Sequence, residues 1–177
     1  MNKKRIILIC VAFSIVIAST SVVSAGLFDI GGSNVKTHQF NYLDTFYFNV
    51  SDDLTNKTGV NGISIYDGVS YNYPNSDSVF RFMPIVQTNG SDELEHNRND
   101  ALYKEVKTQN TTQNFTAAIF EVNGLKEYQV VIDIKNITIP DSYGLDTKYG
   151  FITVDVKTLD EAQAFVNSFK VNEKYVK

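Results

Sequence analysis

The chain is poor in the side chains from which most metal and catalytic sites are built. Its 177 residues include no Trp, two His and one Cys, and that cysteine, Cys10, lies in an apolar N-terminal stretch. A zinc site of the usual His and Cys ligands is therefore not available. No nucleophile elbow, His-Glu-x-x-His helix, phosphate loop or dinucleotide fingerprint occurs. We expect no metal and no cofactor, and we favour a protein that is not an enzyme.

Basic charge is scarce as well. Lys and Arg number 16 against 20 Asp and Glu, which gives a formal charge of -4 and a pI of about 5.1. An extended basic face for nucleic acid is not expected from this balance, so we predict no nucleic-acid partner. With 43% hydrophobic residues the chain is long enough for one domain with a core, and too short for two large domains.

The N-terminus has the pattern of an export signal. Lys3, Lys4 and Arg5 precede an apolar run at 6–18, and small and polar residues follow up to Ala25. We predict a signal peptide over 1–25. The alternative is an uncleaved membrane anchor, because positions 6–28 carry no charge.

The remaining chain divides into a tether and one domain. Residues 26–34 contain three glycines and no periodicity, which is typical of a flexible tether. The domain is predicted to cover 35–177. The expected location is therefore extracellular or on the outer face of the cytoplasmic membrane, with membrane contact only through the N-terminal segment if that segment is retained.

Alternating apolar residues predict strands at 45–50, 78–87, 115–122, 125–134 and 149–156. A hairpin with a turn at Asp67-Gly68 is predicted over 63–73, and a tight hairpin turn at Asn123-Gly124. Pro84 cannot donate to a ladder, so it predicts a sheet edge or a bulge. These patterns favour hairpins over crossover connections.

Two helices are predicted. Thr158 and Glu161 form a capping box, and apolar residues at helical spacing follow it: Leu159, Ala162, Phe165, Val166 and Phe169. A second helix is predicted from Asp92 to Val106, with Leu94, Ala101, Leu102 and Val106 in phase. The fold class is therefore α+β, with a mainly antiparallel sheet packed by a C-terminal amphipathic helix and a second helix.

Tyrosines and carboxylates are the remaining candidates for a ligand site. Tyr71 and Tyr73, with Tyr42 and Tyr47, could stack on sugars, or could be ordinary strand residues. The acidic candidates nominate no catalytic pair: Asp52 and Asp53 follow a predicted strand, Asp92, Glu93 and Glu95 lie at a helix start, where the helix dipole explains them, and Asp141 and Asp146 lie in a predicted loop. His38 and His96 are predicted to lie on the surface.

Six Asn-x-Ser/Thr sequons occur, whereas composition alone predicts about 2.6. Four lie in predicted turns, where a glycan can project into solvent: Asn56, Asn89, Asn110 and Asn114. The other two, Asn49 and Asn136, lie within or beside predicted strands. Glycosylation of the four turn sites is a hypothesis, and unmodified asparagines are the alternative.

Several stretches resemble small exported proteins of methanogenic archaea: "DTFYFNVSDDL", "FEVNGLKEYQVVI" and "TVDVKTLDEAQAFVNSFKV". The resemblance covers most of 36–171 and implies no catalytic residues. The order of elements, ending in strand, capped helix and "SF", also resembles the α/β/α sandwich of the PsbP family. That second resemblance implies a central antiparallel sheet covered by two helices, and a role in assisting assemblies or binding partners.

We therefore expect an exported envelope protein that acts as a non-enzymatic binding or assembly module, with an envelope protein or a cell-wall polymer as its partner. The alternative is a carbohydrate-binding or glycan-acting protein that uses Tyr71, Tyr73 and surface carboxylates. A structural or adhesive surface protein is a third class.

Overall fold

Nine strands and two α-helices make up the part of the chain that the structure, a computed structural model, describes: residues 36–54, 68–86, 88–141 and 143–176. The strands are β1 (Thr37–Tyr42), β2 (Phe46–Ser51), β3 (Val69–Asn72), β4 (Val79–Val86), β5 (Tyr103–Asn110), β6 (Thr116–Val122), β7 (Glu127–Pro140), β8 (Asp146–Val156) and β9 (Lys170–Val171). The helices are α1 (Gly90–Asn99) and α2 (Leu159–Ser168), and a 3₁₀ turn follows at Glu173–Tyr175.

The strands form two sheets in which every pairing is antiparallel. The larger sheet has the order β3-β4-β8-β7-β6-β5, and the smaller has the order β1-β2-β9. Strands hold 52% of the described residues and helices 18%. The chain is an α+β protein dominated by antiparallel sheet, as the hairpin patterns predicted.

The two sheets pack face to face through phenylalanine rings. Phe48 of β2 lies 4.5 Å from Phe82 of β4, and Phe165 of α2 lies 4.9 Å from Phe48, all between ring centroids. None of the three side chains is more than 1% exposed. We call this cluster the aromatic core; its rings belong to Phe46, Phe48, Phe80, Phe82, Phe165 and Phe169. Each aromatic pair adds about 0.5–1.5 kcal/mol beyond its area burial, so the core holds the two layers together.

Helix α2 begins where its capping box predicts. The Thr158 hydroxyl accepts from the Glu161 N–H, and the Glu161 carboxylate accepts from the Thr158 N–H at 3.0 Å. The helix then lies beside β2, because the Asn49 N–H donates to Ser168 Oγ at 2.8 Å. The predicted apolar stripe is confirmed, since Ala162, Phe165 and Val166 are buried.

The outer face of the six-stranded sheet carries α1. Leu94 of the helix packs with Phe120 and Val131 of the sheet in a second, smaller cluster that also contains Ala118 and Phe151. Contact between helix and sheet is so close at Gly90 that a Cβ there would lie 2.7 Å from the Asp133 Cα. The two helices therefore lie on opposite faces of the larger sheet.

The predicted second helix is wrong over its C-terminal part. The helix ends at Asn99, and Tyr103–Asn110 forms β5, paired with β6 at the edge of the sheet. Leu94 is buried, but Leu102 is 59% exposed and Val106 40% exposed. The edge strand is exposed on both faces, so its sequence has no period-2 pattern, and pairing with β6 determines its conformation.

The Asn123-Gly124 turn is longer than predicted. Val122 pairs with Glu127, so four residues, 123–126, connect β6 to β7 instead of two. Gly124 still adopts a positive φ of 83°, which explains why glycine stands there. The strand register of this hairpin puts Val130, Ile132 and Ile134 on the face of the aromatic core, as predicted.

Of the two alternatives predicted at Pro84, the structure supports the bulge. Pairing of β3 with β4 ends at Phe82, and the register between β4 and β8 shifts between Ile85 and Val86, just after Pro84. On the side of β3, the position opposite Pro84 lies outside the described residues, so the alternative of a sheet edge stays a prediction.

The predicted signal peptide, the tether and the hairpin arm at 63–67 lie outside the described residues. Residues 35–177 form one compact unit. No helix of the described ranges is long and apolar enough to cross a membrane.

Candidate functional site

A groove of about 180 Å³ opens between the outer strands of the two sheets. It is lined by His38, Phe40, Val50, Leu54 and Tyr71. Phe40 of β1 and Tyr71 of β3 meet edge to face across it, with ring centroids 5.8 Å apart. Apolar and polar residues alternate along β1 and β2, and the apolar face that builds the aromatic core continues to the rim of the sheets. The lining of the groove is mostly apolar for this reason. We call this site the edge groove.

A polar pair stands at the edge groove. His38 Nδ1 lies 2.8 Å from Asp52 Oδ1, and the two side chains are 57% and 45% exposed. The pair follows from the register of the hairpin, since His38 lies opposite Val50 and Asp52 comes two residues later on the same face. With Nδ1 engaged by the carboxylate, Nε2 is the ring atom that could meet a bound polar group.

Tyr73, the second predicted ligand-binding tyrosine, belongs to the core. Its side chain is 6% exposed, its hydroxyl accepts from the Lys157 N–H at 3.2 Å, and burial raises its pKa. The ring therefore anchors the β3–β4 hairpin beside the start of α2 and is not available to stack on a sugar. Tyr42, 8% exposed, is buried in the same way. Of the predicted tyrosines, Tyr71 alone lines the edge groove, and its role in ligand binding stays a prediction.

A row of polar side chains crosses the outer face of the sheet. Asn97 Nδ2 of α1 donates to Gln129 Oε1 at 2.9 Å, and Gln129 Nε2 donates to Asp155 Oδ1 at 3.2 Å. Arg81 NH1 completes the row, 3.5 Å from Asp155 Oδ2. We call these four residues the polar row.

The four side chains of the polar row bond mainly to one another. Burial raises the pKa of Asp155, while hydrogen bonding from Gln129 and the charge of Arg81 lower it by less. Beside the row, Thr153 Oγ1 is buried without a hydrogen-bond partner in the described part of the chain. Because the row joins α1 to three strands, its geometry fits a structural role in seating the helix.

The other predicted carboxylates serve local structure. Asp141 accepts from the N–H groups of Leu145 and Tyr143, each at 2.9 Å, and these bonds lower its pKa. Asp92 and Glu93 lie in the first turn of α1, and Asp146 is the first residue of β8, where a loop was predicted. In the described ranges no group of three or more His, Cys, Asp or Glu side chains is arranged to hold a metal ion.

The sequon asparagines differ in their surroundings. Asn89 caps α1, Asn114 adopts a φ of 64° in the β5–β6 turn, and Asn110 is the last residue of β5, where a turn was predicted. All three are exposed. Asn49 and Asn136 lie in β2 and β7 and are half-buried. Asn56 is outside the described residues.

Comparison with protein-family models, curated proteins and solved structures finds no match for this chain. The two resemblances noted in the sequence stay predictions. Of the groove residues, sequence analysis singled out only Tyr71 for ligand binding. The others come from two segments, β1 and β2 with the turn that follows it, and only the pairing of β1 with β2 and the packing of the sheets bring them next to Tyr71. The alternation Phe46, Phe48, Val50 was the one available signal, because it marked the face on which the groove forms.

Proposed function

We propose that this chain is an exported, envelope-associated and non-enzymatic module that binds a partner protein at the edge groove. The basic and apolar N-terminal segment supports export. The observation that carries the binding role is the groove itself, an apolar recess at the rim of an aromatic core.

The size and lining of the groove favour one apolar side chain as its occupant. Small-molecule sites usually measure about 300–1,000 Å³, and this groove of about 180 Å³ is smaller. Four of its five lining residues are Phe40, Val50, Leu54 and Tyr71, which offer carbon surface and few hydrogen-bonding groups. An aliphatic or aromatic side chain of a protein matches that surface better than a hydroxylated sugar does.

The strand beside the groove could bind the backbone of the same partner. The Asp52 N–H donates to the Lys36 carbonyl at 2.9 Å, which places the backbone bonds to β2 at even-numbered residues of β1. Thr37, Gln39 and Asn41 therefore direct their backbone groups away from β2, on a side where no described strand pairs. An extended segment added to β1 would bring alternate side chains to the groove.

Carbohydrate binding is the second candidate. It is favoured by one observation, the half-buried ring of Tyr71 next to the His38–Asp52 pair, which together offer a stacking surface and polar atoms. In this case the ligand would be a single sugar unit of an envelope polymer.

Site-specific cross-linking separates these functions. A photoreactive phenylalanine derivative is placed at Tyr71 in the full chain in its own source cells, and in a control at Tyr143, which is 84% exposed and outside the groove. The proposal predicts that position 71, but not position 143, forms an adduct with a single envelope protein. A sugar adduct would favour the second candidate. A link only within the same chain would contradict both.

A truncation measures how much the groove contributes to binding. Tyr71→Ala should weaken partner binding at least 10-fold, which corresponds to about 1.4 kcal/mol, because it removes one wall of the groove. Tyr71→Phe keeps the ring and should bind within about 3-fold of the wild type if the partner contact is apolar. Loss of binding in Tyr71→Phe would show instead that the hydroxyl carries recognition.

A further inference from the structure

The described sequons, apart from that at Asn49, gather at one end of the six-stranded sheet. This end is formed by the row of paired residues Asn110, Thr116, Asp133 and Phe151, and we call it the acceptor end. Asn110 belongs to the row itself, and Asn114 lies in the turn beside it. Gly90, next to Asn89, packs on Asp133 of the same row. Asn136 follows three residues after Asp133 in β7.

The edge groove and the start of β1 lie at the opposite end of the sheet. Tyr71 pairs with Phe80 near the start of β4, and Lys36 lies opposite Asp52, beyond the groove. The two ends are separated by the length of β6, whose six steps from Thr116 to Val122 span about 20 Å. Of the described sequons, Asn49-Val50-Ser51 alone lies at the groove end, and its Val50 lines the groove.

We propose that the exported chain carries N-linked glycans at its acceptor end, on Asn89 and on one member of the Asn110–Asn114 pair, while Asn49 and Asn136 stay unmodified. This inference rests on the proposed export. The side-chain nitrogen Nδ2 would attack the anomeric carbon of a sugar held on a lipid phosphate. A carbon–nitrogen bond forms, the bond from carbon to the phosphate oxygen breaks, and the Nδ2 proton passes to solvent.

Solvent exposure distinguishes the asparagine expected to carry a glycan from the two expected to stay unmodified. Asn89 is exposed, and its side-chain oxygen accepts from the Ser91 N–H, a bond that a glycan on Nδ2 leaves intact. Asn49 lines a small cavity with Ala164 and Phe165 of α2, and its sequon serine, Ser51, is 6% exposed. Asn49 is itself half-buried in the middle of β2, and its backbone N–H donates to Ser168 Oγ of α2. Asn136 is half-buried, with its carboxamide oxygen against Gly150.

The pair in the β5–β6 turn can carry a single glycan. Asn110 Nδ2 donates to Asn114 Oδ1 at 2.9 Å, so the two carboxamides touch. A sugar ring on either nitrogen would fill the space that a second ring needs. Each asparagine is exposed and can accept when the other is removed.

The test is glycopeptide mass mapping of the full chain isolated from the outside of its source cells. The wild type is compared with the variants Asn89→Gln, Asn110→Gln, Asn114→Gln and Asn110→Gln/Asn114→Gln. Asn49→Gln is the matched control. The proposal predicts one glycan at Asn89 and one at the pair in the wild type. Each single variant of the pair should keep that second glycan, the double variant should lose it, and Asn49→Gln should change nothing.

Three results would overturn the proposal. An exported chain bare at Asn89 and at the pair would refute the glycans while leaving the proposed function standing. Glycans on Asn49, or on Asn110 and Asn114 of one molecule, would refute the geometry. A chain that stays in the cytoplasm would refute the proposed function, and the glycans with it. The proposal makes no statement about Asn56.

Discussion

The two faces of the six-stranded sheet are built from different chemistry. The inner face packs phenylalanine rings against β1, β2 and α2, and its polar groups are confined to the rim. The outer face buries fewer apolar residues under α1 and is crossed by the polar row. The inner face therefore contributes most of the apolar burial, whereas the outer face fixes the position of one helix through directed hydrogen bonds.

The same comparison distinguishes the edge groove, a candidate binding site, from the polar row, a structural network. The polar row satisfies its main donors and acceptors within the domain, so little is left for a ligand. The edge groove lies where the aromatic core reaches the rim, and its apolar lining is not filled by the described side chains around it. The four predictions that follow test whether the two faces differ as described.

The largest expected effect is on the aromatic core. Phe82→Ala removes a ring that touches Phe48, Phe46 and Tyr42, and should lower the free energy of unfolding by about 3–5 kcal/mol. Urea denaturation measures the change. Tyr143→Ala, at a side chain 84% exposed, is the control and should stay within about 0.5 kcal/mol of the wild type.

The outer face should respond less. Leu94→Ala empties the centre of the smaller cluster and should cost about 2–4 kcal/mol, because Leu94 is 4% exposed and packs on Phe120 and Val131. The same urea experiment compares it with Phe82→Ala. A loss equal to or larger than that of Phe82→Ala would contradict the greater contribution of the inner face.

The polar row is tested by two asparagines of one helix. Asn97→Ala leaves Gln129 Oε1 without its donor and should destabilise by about 1–3 kcal/mol. Asn99→Ala removes an exposed side chain that bonds only within the helix, and should change stability by less than about 0.5 kcal/mol. Equal effects of the two variants would mean that the row does not seat α1.

The smallest effect concerns pH. The folded-state pKa of Asp155 is raised by burial, so the folded chain takes up this proton at higher pH than the unfolded chain does. The contribution of Asp155 to stability should therefore increase as the pH falls from 7 toward the unfolded pKa of about 3.9, and decrease as the pH rises. Asp155→Asn should remove this dependence, so the stability difference between the two chains should vary between pH 4 and 7. A constant difference would contradict the raised pKa.

Local patterns predicted the inner face well. The alternation in β2, the face of β7 and the capping box of α2 each depend on neighbouring residues, and all three are confirmed. The run Tyr103–Asn110 misled the prediction because an exposed edge strand takes its conformation from its partner, which the local sequence does not encode.

The candidate sites were harder to predict. Tyr71 and Tyr73 flank the same residue, Asn72, and the alternation of a strand places them on one face. Tyr71 nevertheless lines the groove, whereas Tyr73 is buried beside Lys157. That difference arises from contacts with β1 and α2, which are distant in sequence. The sequons were visible as motifs, but their gathering at one end depends on the order of strands in the sheet.

The central claim, an exported module that binds a protein at the edge groove, is tested most directly by native mass spectrometry of the chain and its Tyr71→Ala variant, each purified without harsh detergent from the source envelope. The account predicts that the wild type carries one stoichiometric protein partner and that Tyr71→Ala, although folded, has lost it. A wild-type chain that is a bare monomer, or a complex that Tyr71→Ala leaves intact, would contradict the account.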